Sequence, residues 1–402
     1  MIQVSNAASR WGSSGLAYLT GLPDGRPDFS RAEVLARAEQ VAATVSRHLG
    51  ITVDACALLV GRAGLLGLTR GGRISAGGGT RLLSARDGWC ALTLSRPDDV
   101  AAVPALLEVE GVPADPWPML GHWAATRPVS AIIERAGLLD MPAARLGEVA
   151  ATPPRVDRTG PSAAARAYAG LLVADLSSMW AGPLCGQLLA RAGATVVKVE
   201  SPRRPDGTRA GNRRFFDWLN GEKLSYCVDF DGQVEELREL LSVADIVIEG
   251  SRPAALARRR LGPEHIAPRP GRIWLRINGY GPGSTRPAFG DDAAVAGGLV
   301  GAGGGAGFAA PVFCGDAIAD PLTGLEAASA VAESLARGGG ELIHVSMAGI
   351  AAGYAALPAT APIPACAASP PQAPPSHRQA AELGADNDAV RHLVAERRLP
   401  SC

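Results

Sequence analysis

Apolar positions along the chain follow two spacings. Between residues 171 and 278, short runs rich in branched side chains alternate with stretches whose apolar residues recur every three or four positions. Leu171 to Asp175, Thr195 to Glu200, Asp245 to Glu249 and Ile273 to Asn278 read as strands, the run from Thr195 most clearly. Between them, Gly182 to Ala192, Val234 to Leu241 and Ala254 to Arg260 read as helices. Such βαβ alternation predicts a parallel sheet flanked by helices, with ligands received at the carboxyl ends of the strands. The first strand-to-helix loop, Ser177 to Pro183, holds a single glycine, so a Gly-x-Gly-x-x-Gly dinucleotide site is not expected.

Outside this region the pattern is looser. Ala-rich helices are predicted from Ala32 to Arg47 and from Leu325 to Arg337, and a last helix from Asp386 to Glu396. The two Ala-rich segments form a weak repeat, but pairing them puts Pro27 opposite Asp320, so the early copy lacks that carboxylate in register. Aperiodic Pro-containing stretches mark connectors. The expected organisation is a small α+β unit over 1–150, a linker over 151–168, an α/β core over 169–357, a Pro/Ala-rich linker over 358–376 and a helical tail over 377–402.

With 402 residues, 47% hydrophobic and 19% charged, the chain can bury a sizeable core. Lys+Arg and Asp+Glu are both 39, so overall charge favours neither nucleic acid nor an anionic membrane as partner. The seven cysteines are scattered without a Cys-x-x-Cys pair, which argues against a disulfide framework and a zinc site and fits a reducing cytoplasm. No leader-like start and no long uninterrupted apolar stretch is expected to direct the chain to a membrane.

Asp320 carries the sharpest chemistry. It lies in the run Gly315 to Gly324 just before an Ala-rich helix, where a short carboxylate can serve as a nucleophile and Gly324 would leave room for a large ligand. An Asp before Pro321 at a helix start is also an ordinary N-cap. The triglycine Gly77, Gly78 and Gly79 fits a flexible loop whose N–H groups approach a developing oxyanion, or a plain surface turn. A second glycine cluster, Gly301 to Gly307, lacks the Lys and Ser/Thr of a phosphate-binding loop and reads as a connector.

The run Val173 to Pro202, followed in order by Asn220 to Lys223, Asp229, Ala244 to Glu249, Arg252-Pro253, Gly279 to Pro282, Asp320 to Gly324 and His344 to Ser346, resembles the family III CoA-transferases. The resemblance covers about 165–350 and implies a Rossmann-like α/β core with a smaller α+β domain. The order is unusual: the family's glycine-rich loop and Asp-Gly-Trp material, here Gly77 to Gly79 and Asp87 to Trp89, stands N-terminally, as in a permuted or fused member. The resemblance implies transfer of CoA between an acyl-CoA thioester and a carboxylic acid through Asp320, with CoA as substrate, no permanently bound cofactor and no metal. It further implies CoA contacts at Met179, Ser201, Lys223 and Arg258, and an interlocked homodimer. Two departures stand out. Trp180 replaces a glutamine that helps hold the intermediate, and Gly250-Ser251 replaces an Asn-Phe pair that contacts CoA. The family's racemase branch uses a histidine where this chain has Asp291, whose ordinary pKa of about 4 suits carbon-acid chemistry poorly. An α-methylacyl-CoA racemase-like enzyme and a non-catalytic CoA-binding relative are the alternatives.

Overall fold

The computed structural model describes residues 6–250, 256–303, 310–360, 366–375 and 378–398. Three longer helices come first, α1 (Asn6–Ser14), α2 (Ala32–Leu49) and α3 (Ala55–Leu66), with one short helical turn, Leu16–Leu19, between the first two. Helix α2 buries Val34, Leu35, Ala38, Val41, Ala42, Val45 and Leu49, an apolar stripe at helical spacing, and ends at Gly50 with φ 66°. Helix α3 starts where the Asp54 side chain accepts the Ala57 N–H.

A small antiparallel sheet follows, β1 (Thr80–Ala85), β2 (Gly88–Thr93) and β3 (Ala143–Arg145), in that order. Between β2 and β3 come α4 (Trp117–Ala125) and α5 (Val129–Leu138), which close a separate apolar cluster containing Leu83, Leu92, Leu106, Leu120, Trp123 and Ile132. The Asp-Gly-Trp run serves the turn and the packing. Asp87 accepts the Val129 N–H at 2.7 Å and so caps α5, while Trp89 lies under the Arg73 guanidinium at 4.7 Å.

The main sheet uses β4 (Arg155–Arg158), β5 (Leu172–Asp175), β6 (Thr195–Glu200), β7 (Leu224–Cys227), β8 (Ile246–Glu249), β9 (Ile273–Asn278) and β12 (Glu341–Ser346), in the order β4-β12-β9-β8-β5-β6-β7. The short pair β10 (Val300–Gly301) and β11 (Val312–Phe313) stands apart. Its helices are α6 (Ala181–Arg191), α7 (Arg213–Asn220), α8 (Val234–Val243), α9 (Gly290–Ala296), α10 (Ala319–Ala336), α11 (Met347–Ala355) and α12 (Asn387–Arg398). All neighbours from β7 to β12 are parallel, whereas β4 runs antiparallel along β12, so the sheet is mixed rather than wholly parallel. Every residue of β5 and β8 is buried, as expected of central parallel strands covered on both faces. Chain order reverses at β5, which puts the ligand crevice of such a sheet at its carboxyl end.

The apolar clusters divide the chain differently from a boundary at 150. Helices α1 to α3 share one core with α6, α10 and α11, the region around β1 to β3 has another, and α8 and α12 cover a third on the opposite face of the main sheet. The stretch 151–168, expected to be a linker, supplies the edge strand β4. The Pro/Ala-rich stretch was expected to have little to bury, yet 366–375 lies as an extended strap across α1 and α3. Side chains at Gly12, Gly15 and Gly64 would collide with Ala367, Pro371 and Gln372 respectively, and Ser369 donates its N–H to Gly12 O at 2.9 Å. Part of the helix expected over 254–260 and part of the Gly301 to Gly307 cluster lie outside the described residues, as does Ser251.

Candidate active site

Asp320 is the second residue of α10, not its cap. Ile318 holds the cap position without a side-chain hydrogen bond. The Asp320 carboxylate instead faces the backbone N–H groups of Ala181 and Gly290, the first residues of α6 and α9. Two helix N-termini thus converge on one carboxylate, an arrangement that favours negative charge there. Gly290 has no alternative, because any Cβ would collide with Asp320 Oδ2 and with Ala317 O. Burial nevertheless pushes the Asp320 pKa up to about 7, with Arg62 opposing and Asp291 adding to the rise. Part of the residue remains open to solvent.

Gly324 does not make room for a ligand. Its bare Cα lets α10 close on α6, where a Cβ would come 2.7 Å from Ala181 O and 3.0 Å from Leu184 Cβ. This close packing brings the N-terminus of α6 to Asp320.

Three further carboxylates surround the site. Asp316 is fully buried and accepts Arg62 Nη1 at 2.6 Å. Asp291 accepts the Ala317 N–H at 3.0 Å and lies 3.4 Å from Thr80 Oγ1; burial and Asp316 raise its pKa to about 6. Asp292, also fully buried, accepts the Phe289 N–H at 2.9 Å and Thr93 Oγ1 at 3.1 Å, and burial drives its pKa to about 8. The N-terminal third of the chain therefore contributes Arg62 to the surroundings of Asp320, and Thr80 and Thr93 to those of Asp291 and Asp292, within one molecule. Sequence reading missed Arg62, although a single charge in the apolar helix α3 was a usable signal.

Asp292 supports a prediction. An acid raised above its unfolded value costs nothing below about pH 4, where both states are protonated, and the cost grows as pH rises through the folded pKa. Asp292→Asn removes that cost, so it should raise the midpoint of urea unfolding clearly at pH 9 and only slightly at pH 5. An equal effect at both pH values would show that Asp292 is not the group being titrated.

The triglycine forms a held turn. Gly78, with φ 80°, donates its N–H to Ser75 O at 2.8 Å, Leu94 donates to Gly79 O, and Gly79 packs against Ser95. The Gly78 N–H is thus unavailable to an oxyanion. Gly77 comes closest to the chemistry, since a Cβ there would stand 3.1 Å from Arg62 Nη2.

The expected CoA contacts separate. Met179, at φ 72° and 37% exposed, follows β5, its N–H accepted by Asp206, and its sulfur lies beside Gly207. Ser201 follows β6, and Arg258 is exposed beyond β8. Lys223 does not belong with them. It is buried, and its ammonium donates to Asp175 Oδ2 at 2.8 Å, Pro183 O at 2.8 Å and Asn220 Oδ1 at 3.0 Å, so all three donors are spent inside the protein. Burial works against ionised Asp175, but the ammoniums of Lys223 and Lys198 outweigh it and hold its carboxyl below the usual range. A cavity of about 220 Å³ lined by Arg37, Glu326 and Tyr354 lies farther along α10, away from Asp320. Among the described residues no His/Cys/Asp/Glu group is arranged to hold a metal, and no helix is long and apolar enough to cross a membrane.

Residues 168–384 match the family model described as CoA-transferase family III. The chain is 32% identical over 205 residues to the succinate–glutarate CoA-transferase of Agrobacterium fabrum, covering 44% of this chain and 50% of that protein. It is 36% identical over 141 residues to the succinyl-CoA–D-citramalate CoA-transferase of Chloroflexus aurantiacus, covering 32% and 35%. Among solved structures, a CAIB/BAIF family protein from Brucella suis shares 30% identity at a TM-score of 0.42, covering 47% of this chain and 55% of that one. The chain spans half or less of the length of these two curated relatives.

Proposed function

Because the chain belongs to CoA-transferase family III, we propose that it moves CoA between an acyl-CoA thioester and a carboxylic acid through a covalent intermediate on Asp320. The observation that carries this reading is the Asp320 carboxylate itself, on a residue only partly buried overall and facing the N–H groups of Ala181 and Gly290 instead of capping its own helix. Its ionised form attacks the thioester carbonyl, a C–O bond forms, the C–S bond breaks, and CoA leaves as thiolate, which turns the acyl group and Asp320 into a mixed anhydride. The thiolate then attacks the Asp320 carbonyl, releasing the donor acid and leaving an aspartyl-CoA thioester. An acceptor acid reverses both steps with its own carboxylate. The N–H groups at the two helix starts support the oxyanion formed on the Asp320 side of these additions.

CoA would enter over the carboxyl ends of β5 and β6, beside Met179 and Ser201. The exposed Arg203 and Arg204, on the loop after β6, are suited to its phosphates, with Arg258 as a further candidate. The names of the relatives specify dicarboxylic acids, so that class is the first to test as acceptor. Acyl-CoA supply makes the cytoplasm the expected compartment, and a homodimer the expected assembly.

Incubation with a panel of acyl-CoA esters and hydroxylamine, followed by peptide mass spectrometry, tests the reading. An acyl-CoA-dependent hydroxamate is expected at Asp320. Absence of modification across the panel, with CoA still bound, would favour proton transfer or a non-catalytic CoA-binding protein. Proton transfer draws some support from Asp291, whose pKa of about 6 is a better match to a base than an ordinary aspartate. Its bonds to Ala317 and Thr80 work against that role.

A further inference from the structure

Arg62 is the only charged residue of α3, and its neighbours Leu58, Leu59, Val60, Ala63 and Leu65 are buried. Its guanidinium lies 5.7 Å from the ring centroid of Trp180 and 5.6 Å from that of Phe215, and 24% of its side chain remains exposed. One donor is taken by Asp316 Oδ1. Beside this pair the buried donor Trp180 Nε1, on a residue 3% exposed, has no hydrogen-bond partner among the described residues; Asp316 Oδ2 has none either, but as an acceptor it is not satisfied by an anion. Such atoms are costly to bury unless something else satisfies them.

The transferase reading creates a matching need. An acceptor acid arrives as an anion at a site already holding Asp316, Asp291 and, before acylation, Asp320, all of which repel it. The cation whose field reaches Asp320, Asp291 and Asp316 is Arg62. Its planar fork binds carboxylates in pairs of parallel bonds, and Asp316 uses only part of it.

We infer that Arg62 receives the carboxylate of the acceptor acid, sharing its guanidinium between Asp316 and that acid beside Trp180 Nε1. The inference rests on the transferase reading and gives it an acid-binding residue. In the step served, the bound acid attacks the carbonyl carbon of the Asp320–CoA thioester. A C–O bond forms, the C–S bond breaks, and CoA leaves as thiolate, with no proton transfer and no change of oxidation state. The thiolate then attacks the new acyl carbonyl, forming the product thioester and freeing the Asp320 carboxylate. Removing the competing anion at Asp316 strengthens acid binding; removing the guanidinium weakens it.

The test uses the full chain and two variants, Arg62→Gln and Asp316→Asn. Hydroxamate formation at Asp320 from acyl-CoA alone is measured at the pH where each protein reaches its plateau. KM is then determined for acetate, propionate and glutarate as acceptors. Arg62→Gln is expected to raise the acid KM about 100-fold, the scale of losing one partner of a charged pair, with hydroxamate still formed but its plateau moved to higher pH, because Arg62 no longer opposes the rise in the Asp320 pKa. Asp316→Asn is expected to lower the acid KM severalfold. If Arg62→Gln does not fold, Asp316→Asn decides alone, and an unchanged or raised acid KM overturns the inference. Loss of hydroxamate in Arg62→Gln with an unchanged acid KM in Asp316→Asn would make Arg62 a positioning residue for Asp320 and also overturn it. No hydroxamate in the wild-type protein overturns the transferase reading and this inference together. Wild-type hydroxamate with unchanged acid KM in both variants overturns this inference alone.

Discussion

Asp320→Asn should lower acyl-CoA-dependent CoA transfer by at least about 10⁴-fold, because an amide of the same shape cannot form the covalent intermediate. CoA affinity should stay within a few fold, since Asp320 meets the acyl end and not the nucleotide. Stability should hold or improve at pH 8, because the folded state no longer carries a carboxylate whose pKa burial has raised to about 7. The same rise gives the wild-type protein a pH signature. Formation of the hydroxamate should increase with pH and level off above pH 7 to 8, following the ionised fraction of Asp320. Transfer assays and thermal melts on one preparation check all of this. Joint loss of folding and CoA binding in Asp320→Asn would assign the residue to architecture.

Lys223→Met should cost about 3–5 kcal/mol of folding stability, the range for breaking a buried ion pair by removing one partner. It takes from Asp175, fully buried at the carboxyl end of β5, its direct ion-pair partner, leaving it only the Ser177 hydrogen bonds and the field of Lys198, and leaves Pro183 O and Asn220 Oδ1 without their donor. The sign with pH follows from Asp175, whose folded pKa is depressed. The pair's contribution is present above about pH 4 and is lost as pH falls through the folded value. Urea unfolding at pH 7 and at pH 3 checks both parts. The double variant Lys223→Met with Asp175→Asn should recover much of the loss, since no unpaired charge then remains. A variant that melts normally yet binds CoA weakly would instead restore Lys223 to a phosphate contact.

The βαβ core was legible because its strands are continuous branched-chain runs, and a strand buried on both faces has no other economical place. Strand β4 was not, because Arg155 to Arg158 is polar, lies on an edge and is defined by pairing with β12, distant in sequence. Asp320 stood out through its surrounding motif. The identity of Lys223 could be read, but not that Asp175, Pro183 and Asn220 would converge on it and exclude a ligand. Gly324 misled for a related reason, since the space a glycine leaves can be filled by solvent, ligand or another helix, and only the packing of α10 on α6 shows which. Arg62 and Asp316 are 254 positions apart, and no local pattern announces such a pair.

The strap over α1 and α3 bears on the timing of assembly. Helix α3 is held by Trp218 against Gly61 and, one turn farther on, by Gln372 and Ala373 against Gly64, so the seat of Arg62 is built from segments synthesised far apart. Chains emerge N-terminus first and their domains generally fold as units. A ribosome-bound chain ending near residue 350 would hold Asp320 and its two helix starts but lack the strap that closes over α3. The seat of Arg62 is thus completed only after the strap has been made, and a product truncated near residue 350 would hold Asp320 in place with α3 uncovered at Gly64.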